Sequence, residues 1–486
     1  MHSAEGHDTP VTQSDAKQAF KAIFRNNILI GSEEILSSQI EKIAKEGSDD
    51  IDKQKKAIAK YQQVLKELRI RFGTLLKMDN VSFLLGAGCS IDAGGVSLCS
   101  IPLTVEKSIL EKGFKNGSPL PWLLLFYDLI DYLTECPKYQ PKDRLNSIQN
   151  LEEKAEPNIS IKANFEQFLS TLFTIVASTI GNEITISFSE EKKISIKRNN
   201  LKTLIEHLKG SLVLTCNLPT PELKDSLIIQ RQMLKKLLTR PLNLRRVNLF
   251  TLNYDTLFEQ AADDVGIVLI DGFIGSLKRV FRPESFDQDL YFPAQTTEGN
   301  VRRLDRVIHL YKLHGSISWH REEPKWENPY GLFATLVQQD YPQKDVVIYP
   351  TPLKHGQVLG FPYSEMFRRF ASAIVQPQSA LFVIGYGFGD EHVIALIRQA
   401  LSIPSFTLVI IDPNPQSAFV KQLEKQQDQR VWIVKGDSLG TFSGFVKYLL
   451  PDLQEEKIIE AVMKTYNALS PSNIEKSTPS SDNPDE

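Results

Sequence analysis

Five short apolar runs in this chain each stop abruptly at a glycine, asparagine, histidine or aspartate, and this repeated ending constrains the fold more than any other feature. Val81-Ser82-Phe83-Leu84-Leu85 runs into Gly86-Ala87-Gly88-Cys89-Ser90, and Val247-Asn248-Leu249-Phe250-Thr251-Leu252 into Asn253-Tyr254-Asp255. Ile308-His309-Leu310-Tyr311-Lys312-Leu313 runs into His314-Gly315-Ser316, Leu381-Phe382-Val383-Ile384 into Gly385-Tyr386-Gly387-Phe388-Gly389-Asp390, and Thr407-Leu408-Val409-Ile410-Ile411 into Asp412. Apolar runs this short, bounded by turn formers, have the character of buried strands. Residues 346–349 and 431–434 add two more. Segments of helical period, 256–265, 391–401 and 416–425, alternate with these runs as in βαβ units. The expected fold is α/β, with a doubly wound, mostly parallel Rossmann-like sheet. Ligands of such sheets bind beyond the carboxyl ends of the strands, where all five endings fall.

The rest of the chain reads as additions to that sheet. Residues 14–77 read as helices, with Ile58, Tyr61, Val64, Leu65 and Leu68 at helical spacing, so residues 1–78 are expected to form an N-terminal helical arm. The sheet domain spans 79–450 and carries a large helical insertion at about 103–244, broken near 119–121, 137–141 and 193–200. One amphipathic helix, 458–469, precedes a Ser/Pro/Asp-rich tail, 470–486, too poor in apolar residues to order itself. A formal net charge of -3 offers no general attraction to phosphate backbones or anionic lipid, so neither nucleic acid nor membrane is an expected partner. Cys89, Cys99, Cys136 and Cys216 are scattered without a C-x-x-C pair, which argues against a disulfide framework and a cysteine-zinc site. A reducing, cytoplasmic setting fits them.

Each strand ending suggests chemistry and also has an ordinary structural reading. The Gly86-Ala87-Gly88-Cys89-Ser90 loop could bring backbone N–H groups close to a pyrophosphate, although Ile91 stands where a dinucleotide fingerprint has its third glycine. Alternatively it is only a tight turn. Asn253 and Asp255 lie at a strand's carboxyl edge before a helix opened by a Thr256-x-x-Glu259 capping box, where they either bind a ligand or merely turn the chain and cap the helix. His314, followed by Gly315, can titrate near neutrality, but a lone histidine is more often structural. The Gly385-Tyr386-Gly387 turn allows close ligand approach before a helix capped by Asp390, and the carboxylate of Asp412 can accept ribose hydroxyl protons.

Taken in order, the G-A-G-x-S loop, the N-x-D loop, the strand-end H-G, the glycine-containing turn and the late acidic loop resemble the sirtuin pattern over roughly 83–450. The Asn253-Tyr254-Asp255, His314-Gly315-Ser316 and Gly385–Asp390 segments look closer to the sirtuin-like effectors of prokaryotic antiviral defence than to protein deacylases. Deacylases carry a four-cysteine zinc module after the H-G loop, whereas residues 320–349 here contain no cysteine, and the usual G-I-P reads Gly94-Gly95-Val96.

The resemblance implies NAD as substrate, no zinc, and hydrolysis of NAD+ to ADP-ribose and nicotinamide, with depletion of NAD as the antiphage effect. It assigns catalysis to Asn253, His314 and Asp255. Cofactor binding falls to Gly86, Ala87, Gly88, Cys89, Ser90, Gly315, Gly385, Tyr386, Gly387 and Asp412. It also implies a trigger, expected to be a separate activator such as a HerA-type ATPase, and assembly as a homo-oligomer. The rival readings are an NAD-dependent protein deacylase or ADP-ribosyl transferase, and a non-catalytic module that binds NAD or ADP-ribose. A metal-dependent nuclease has little support, for the Asp and His residues show no metal-ligand spacing.

Overall fold

The computed structural model describes residues 26–36, 51–97, 100–133, 140–150, 181–187, 193–219, 227–292, 302–336 and 361–454, with 168, 171–172 and 174–176 besides. Nine strands form its main sheet: β1 (Asn27–Ile30), β2 (Glu33–Glu34), β3 (Asn80–Leu85), β4 (Asn248–Thr251), β5 (Val268–Ile270), β6 (Val307–Lys312), β7 (Ser379–Ile384), β8 (Phe406–Ile411) and β9 (Val431–Lys435). Their spatial order is β2-β1-β9-β8-β7-β3-β4-β6-β5. All pairings from β9 to β5 are parallel, and β1 joins β9 and β2 in antiparallel fashion.

Successive side chains of a strand point to opposite faces, and here both faces are apolar. Phe83, Leu85, Leu249, Leu310, Phe382, Ile384, Val409 and Ile411 enter one core, while Leu84, Phe250, Tyr311, Leu381, Val383, Leu408 and Ile410 enter the other. Helices α1 (Ile51–Leu76), α2 (Ile228–Leu238) and α3 (Leu257–Val265) supply the first core; α4 (Tyr363–Ile374), α5 (Glu391–Leu401) and α6 (Ala418–Gln426) supply the second. The sheet is therefore doubly wound, as its sequence pattern predicts.

The N-terminal region differs from its expected helical character. Asn27–Ile30 and Glu33–Glu34 are strands: Ile28 and Ile30 enter the first core, Leu29 packs on the second, and Gly31 turns the chain between them at φ +58°. The β-branched alternation wins locally because β9 offers an open edge. Asn26 fixes the start, its Nδ2 donating to Ser438 Oγ at 2.7 Å and its Oδ1 accepting from Leu439 N at 3.0 Å. Helix α1 packs its apolar stripe into the first core. Phe72 is fully buried and meets Phe445 edge-on at 5.8 Å, and the Arg240 guanidinium donates to the carbonyls of Leu76, Met78 and Asp79 at the helix end.

The insertion builds a core of its own from Ile101–Lys112, Pro121–Leu133 and Arg198–Cys216, centred on Ile109, Leu123, Phe126, Leu204 and Leu208. Arg144 donates to both oxygens of buried Glu106, at 2.8 and 3.1 Å, and the Tyr127 hydroxyl donates to the same carboxylate at 2.9 Å. Two departures from the expected layout stand out. Glu183–Ser187 and Lys193–Lys197 pair as a hairpin where a break was expected, because Ile184, Ile186, Ile194 and Ile196 alternate with polar residues. Helix α2, inside the expected bounds of the insertion, packs into the main core instead.

A separate antiparallel sheet joins Phe273–Ile274 and Arg279–Phe281, which precede the His314 turn, to Leu332–Ala334 and Trp319–Arg321, which follow it. Its aromatic contacts include Phe273 and Trp319, 5.2 Å apart. The expected strand at 346–349, the helix at 458–469 and the tail at 470–486 lie outside the described residues.

Candidate functional site

The connections from β3 lead through β4 and β5 to β6 on one side, whereas those from β7 lead through β8 to β9 on the other. The order reverses between β3 and β7, the position at which open α/β sheets bind ligands. The turns after these two strands touch backbone to backbone. Gly86 N donates to Ile384 O and Gly88 N to Gly385 O, both at 2.9 Å. A Cβ on Gly86 would lie 2.5 Å from Gly385 O, and one on Gly88 would lie 2.6 Å from Gly385 Cα. Gly385 itself stands at φ +61°. These three glycines are therefore required by the contact between turns, whatever else they do. Gly387 is different: a Cβ there would meet nothing within 4 Å.

A continuous hydrogen-bond network joins the tips of β3 and β4. Asn253 Nδ2 donates to Gly86 O and to Ser90 Oγ, each at 2.9 Å, and Ser90 Oγ donates to Asp255 Oδ2 at 2.6 Å. Asp255 is buried, and its second oxygen accepts from Leu257 N at 3.2 Å. It caps α3 in place of the expected box. Thr256 makes no side-chain cap; Glu259 turns instead to Lys312, whose Nζ lies 2.9 Å from Glu259 Oε1 and also donates to Asp255 O. Burial pushes the Glu259 carboxyl above its ordinary range and Lys312 only partly offsets this. The lysine inside β6 was the sequence signal for such a buried anion, since an unpaired charge is not tolerated there.

His314 sits at the next strand tip, 7% exposed, and Gly315 turns the chain away from it at φ +92°. Its loop is tied to the Asn253 loop: Ile317 N donates to Tyr254 O at 3.0 Å and Ser316 Oγ to the same carbonyl at 3.4 Å. His314 Nε2 lies 3.3 Å from Asp390 Oδ2, and its ring centre lies 6.0 Å from that of Phe367. Asp390 caps α5 as expected, accepting from His392 N at 3.1 Å, while its own N–H donates to Tyr386 Oη at 3.0 Å. By its position in the motif Asp390 is only a helix cap. Its nearness to His314 joins two turns far apart in the sequence, so no local pattern could have revealed it.

The structure thus brings Asn253, Asp255, Ser90 and Gly86 into one network, with His314 on the adjoining loop. The other candidates fall elsewhere. The Cys89 thiol points into the core, 3.5 Å from Ile384 O, and burial pushes it well above its usual range. The Tyr386 ring is buried against Phe388, whose backbone stands at φ +54°. Asp412 lies past the end of β8, on the far side of β7 and β3 from β4, at roughly 14 Å by strand spacing. Its Oδ1 accepts from Asn414 N at 2.8 Å, and burial raises its carboxyl above the ordinary range.

Behind Asp255 a cavity of about 490 Å³ opens between α3, β5 and the small sheet, with Thr256, Glu259, Asp271, Arg279 and Trp319 among its walls. Among the described residues no three His, Cys, Asp or Glu side chains gather as a metal ion would require, and no helix is long and apolar enough to cross a membrane. No curated protein matches the chain. Residues 247–433, which hold the Asn253, His314, Gly385 and Asp412 turns, match the family profile of the SIR2-like domain; this match, over less than half of the chain, supports a sirtuin-like, NAD-related function and implies NAD binding.

Proposed function

We propose that the protein is an NAD+ glycohydrolase that releases nicotinamide and ADP-ribose, and that it acts in antiphage defence by depleting NAD. The observation that carries the reading is the joining of the Asn253 and His314 loops beside the paired glycine turns. The pyrophosphate would lie over the turns after β3 and β7, with the adenosine ribose toward Asp412 and the nicotinamide riboside toward β4 and β6.

Nicotinamide leaves as a neutral molecule from a pyridinium, so the bond breaks without protonation of the leaving group. The difficulty lies in the oxocarbenium-like transition state and its capture by water. Asn253, with its amide donors fixed by Gly86 and Ser90, presents a rigid neutral group to the riboside and its attacking water. His314 takes the proton as water adds to the anomeric carbon. Asp255 is an organiser in this scheme, because both its carboxylate oxygens already serve Ser90 and Leu257.

Assembly as a homo-oligomer and control by a separate activator, such as a HerA-type ATPase, belong to the same proposal. Incubating the purified chain with NAD+, with and without such an ATPase, and resolving the products by chromatography tests it. Equal release of nicotinamide and ADP-ribose is expected. Acylated ADP-ribose formed from an acyl-peptide, or transfer of ADP-ribose to protein, would replace the proposal by the deacylase or transferase reading. Tight NAD binding without turnover in either condition would leave a binding module.

A further inference from the structure

We infer that Asp390 is a positioning residue for His314, holding the imidazole at the strand tip and stabilising the charge it gains when it accepts a proton. The inference rests on the hydrolase reading for its purpose, but its geometry stands apart from it. Nε2 of His314 and Oδ2 of Asp390 lie 3.3 Å apart, with side chains 8% and 10% exposed, so little water screens the pair. The carboxylate is itself fixed. Its Oδ1 accepts from His392 N at the start of α5, where the helix dipole favours the ionised form, and its backbone N–H donates to Tyr386 Oη. Phe367 borders both His314 and His392, with ring centres at 6.0 and 4.8 Å. A carboxylate this close to Nε2, and buried with it, restrains the ring and favours its protonated form over the neutral one.

α5 carries Glu391 and Arg398, and three charged groups on the neighbouring elements have partners of their own. Lys312 is held by Glu259 and the Asp255 carbonyl, Asp255 by Ser90 and Leu257, and on α4 Glu365 is held by Arg368 and Arg369. His392 stands beyond Phe367, and His309 and Tyr311 of β6 and Tyr363 of α4 are further titratable rings on these elements.

Asp390→Asn separates this role from the cap, because asparagine caps helices as well as aspartate does. With wild-type and variant proteins of equal melting temperature, kcat for NAD+ is expected to fall roughly tenfold or more in the variant, with KM little changed. The acid limb of its pH profile should move to lower pH, since removing the carboxylate makes imidazolium less favourable. Titration of the His314 ring by NMR should show the same displacement without any substrate. Unchanged kcat and an unmoved limb would overturn the inference; so would a fall in kcat with an unmoved His314 titration, which marks a purely structural cap. Should wild-type protein fail to hydrolyse NAD+ at all, the hydrolase reading falls, and the NMR titration still decides whether the pair exists.

Discussion

The two halves of the candidate site are built by opposite means. On the β4–β6 side the strand tips carry side chains that reach across to the neighbouring turns: Asn253 and Asp255 bind Ser90 of the turn after β3, and His314 stands against Asp390 of the turn after β7. On the β3–β7 side the turns are defined by missing side chains, since Gly86, Gly88 and Gly385 allow two backbones to touch. The first half is suited to orienting a reacting centre; in the second, those three glycines serve the contact between turns, and Gly387 and Gly389 leave open space beside it. If this division is right, substitutions in the first half change rate, whereas those in the second change stability or affinity.

The largest effect should come from His314→Ala and Asn253→Ala, each lowering kcat for NAD+ by about a hundredfold to ten-thousandfold. His314 is buried against the Asp390 carboxylate, so its variant should also lose some stability, on the order of 1 kcal/mol. Asn253 also bridges Gly86 and Ser90, and its variant should lose some stability, on the order of 1 kcal/mol. Steady-state assays alongside thermal melts check both; near-wild-type turnover in either variant would remove that residue from the chemistry.

Lys312→Met acts from behind the site. It leaves Glu259 and the Asp255 carbonyl without the ammonium that satisfies both, in a place where the lysine side chain is 4% and the glutamate 25% exposed. Removing one member of a buried pair costs about 3–5 kcal/mol, and the partial exposure of Glu259 points to the lower end. Urea unfolding measures this, and a loss below about 1 kcal/mol would mean that the Asp255 loop is not anchored through Lys312.

What could be read from the sequence follows from the range of the interactions. Strands β3, β4, β6, β7, β8 and β9 were legible because a parallel strand covered on both faces must be apolar along its length. Strand β1 was not, because four residues beside polar segments become a strand only when the edge of β9 is there to pair with. Periodicity identified α2 as a helix but could not say which of two cores it joins. At the candidate site the strand-end residues were legible as polar interruptions at a sheet edge. Their partners were not: Glu259 satisfied a local capping rule until Lys312, from another strand, claimed it. The glycines of the two turns were read as room for a ligand, and for Gly86, Gly88 and Gly385 the room is filled by the opposite turn.

Asp412→Asn should show a smaller effect of two opposed kinds. Burial raises the Asp412 carboxyl in the folded protein, so its ionisation opposes folding. That cost is absent below the unfolded carboxyl value and grows as pH rises through the higher folded value. The asparagine variant keeps an acceptor for Asn414 N and lacks the cost. It should therefore be slightly more stable than wild type at neutral pH and indistinguishable in acid. If Asp412 holds the adenosine ribose, KM for NAD+ should rise roughly tenfold, equivalent to one charged hydrogen bond of about 1.5 kcal/mol. Paired melts at pH 7 and in acid, with kinetics at neutral pH, separate the two; a stabilised variant with unchanged KM would place the ribose elsewhere.

Gly387→Ala gives the smallest expected change and the sharpest test of the glycine half. Its neighbour Gly385 is constrained twice, by φ +61° and by contact with Gly88, whereas Gly387 is constrained by neither backbone angle nor neighbour. An added methyl therefore has no folding cost that the protein alone can supply, and stability should stay within about 0.5 kcal/mol of wild type. A phosphate or ribose passing over this turn would meet that methyl, and KM should rise roughly threefold, less than 1 kcal/mol of lost binding. A variant unchanged in both melting temperature and KM would show that the ligand does not cross Gly387, and would confine close approach in this half of the site to the turn after β3.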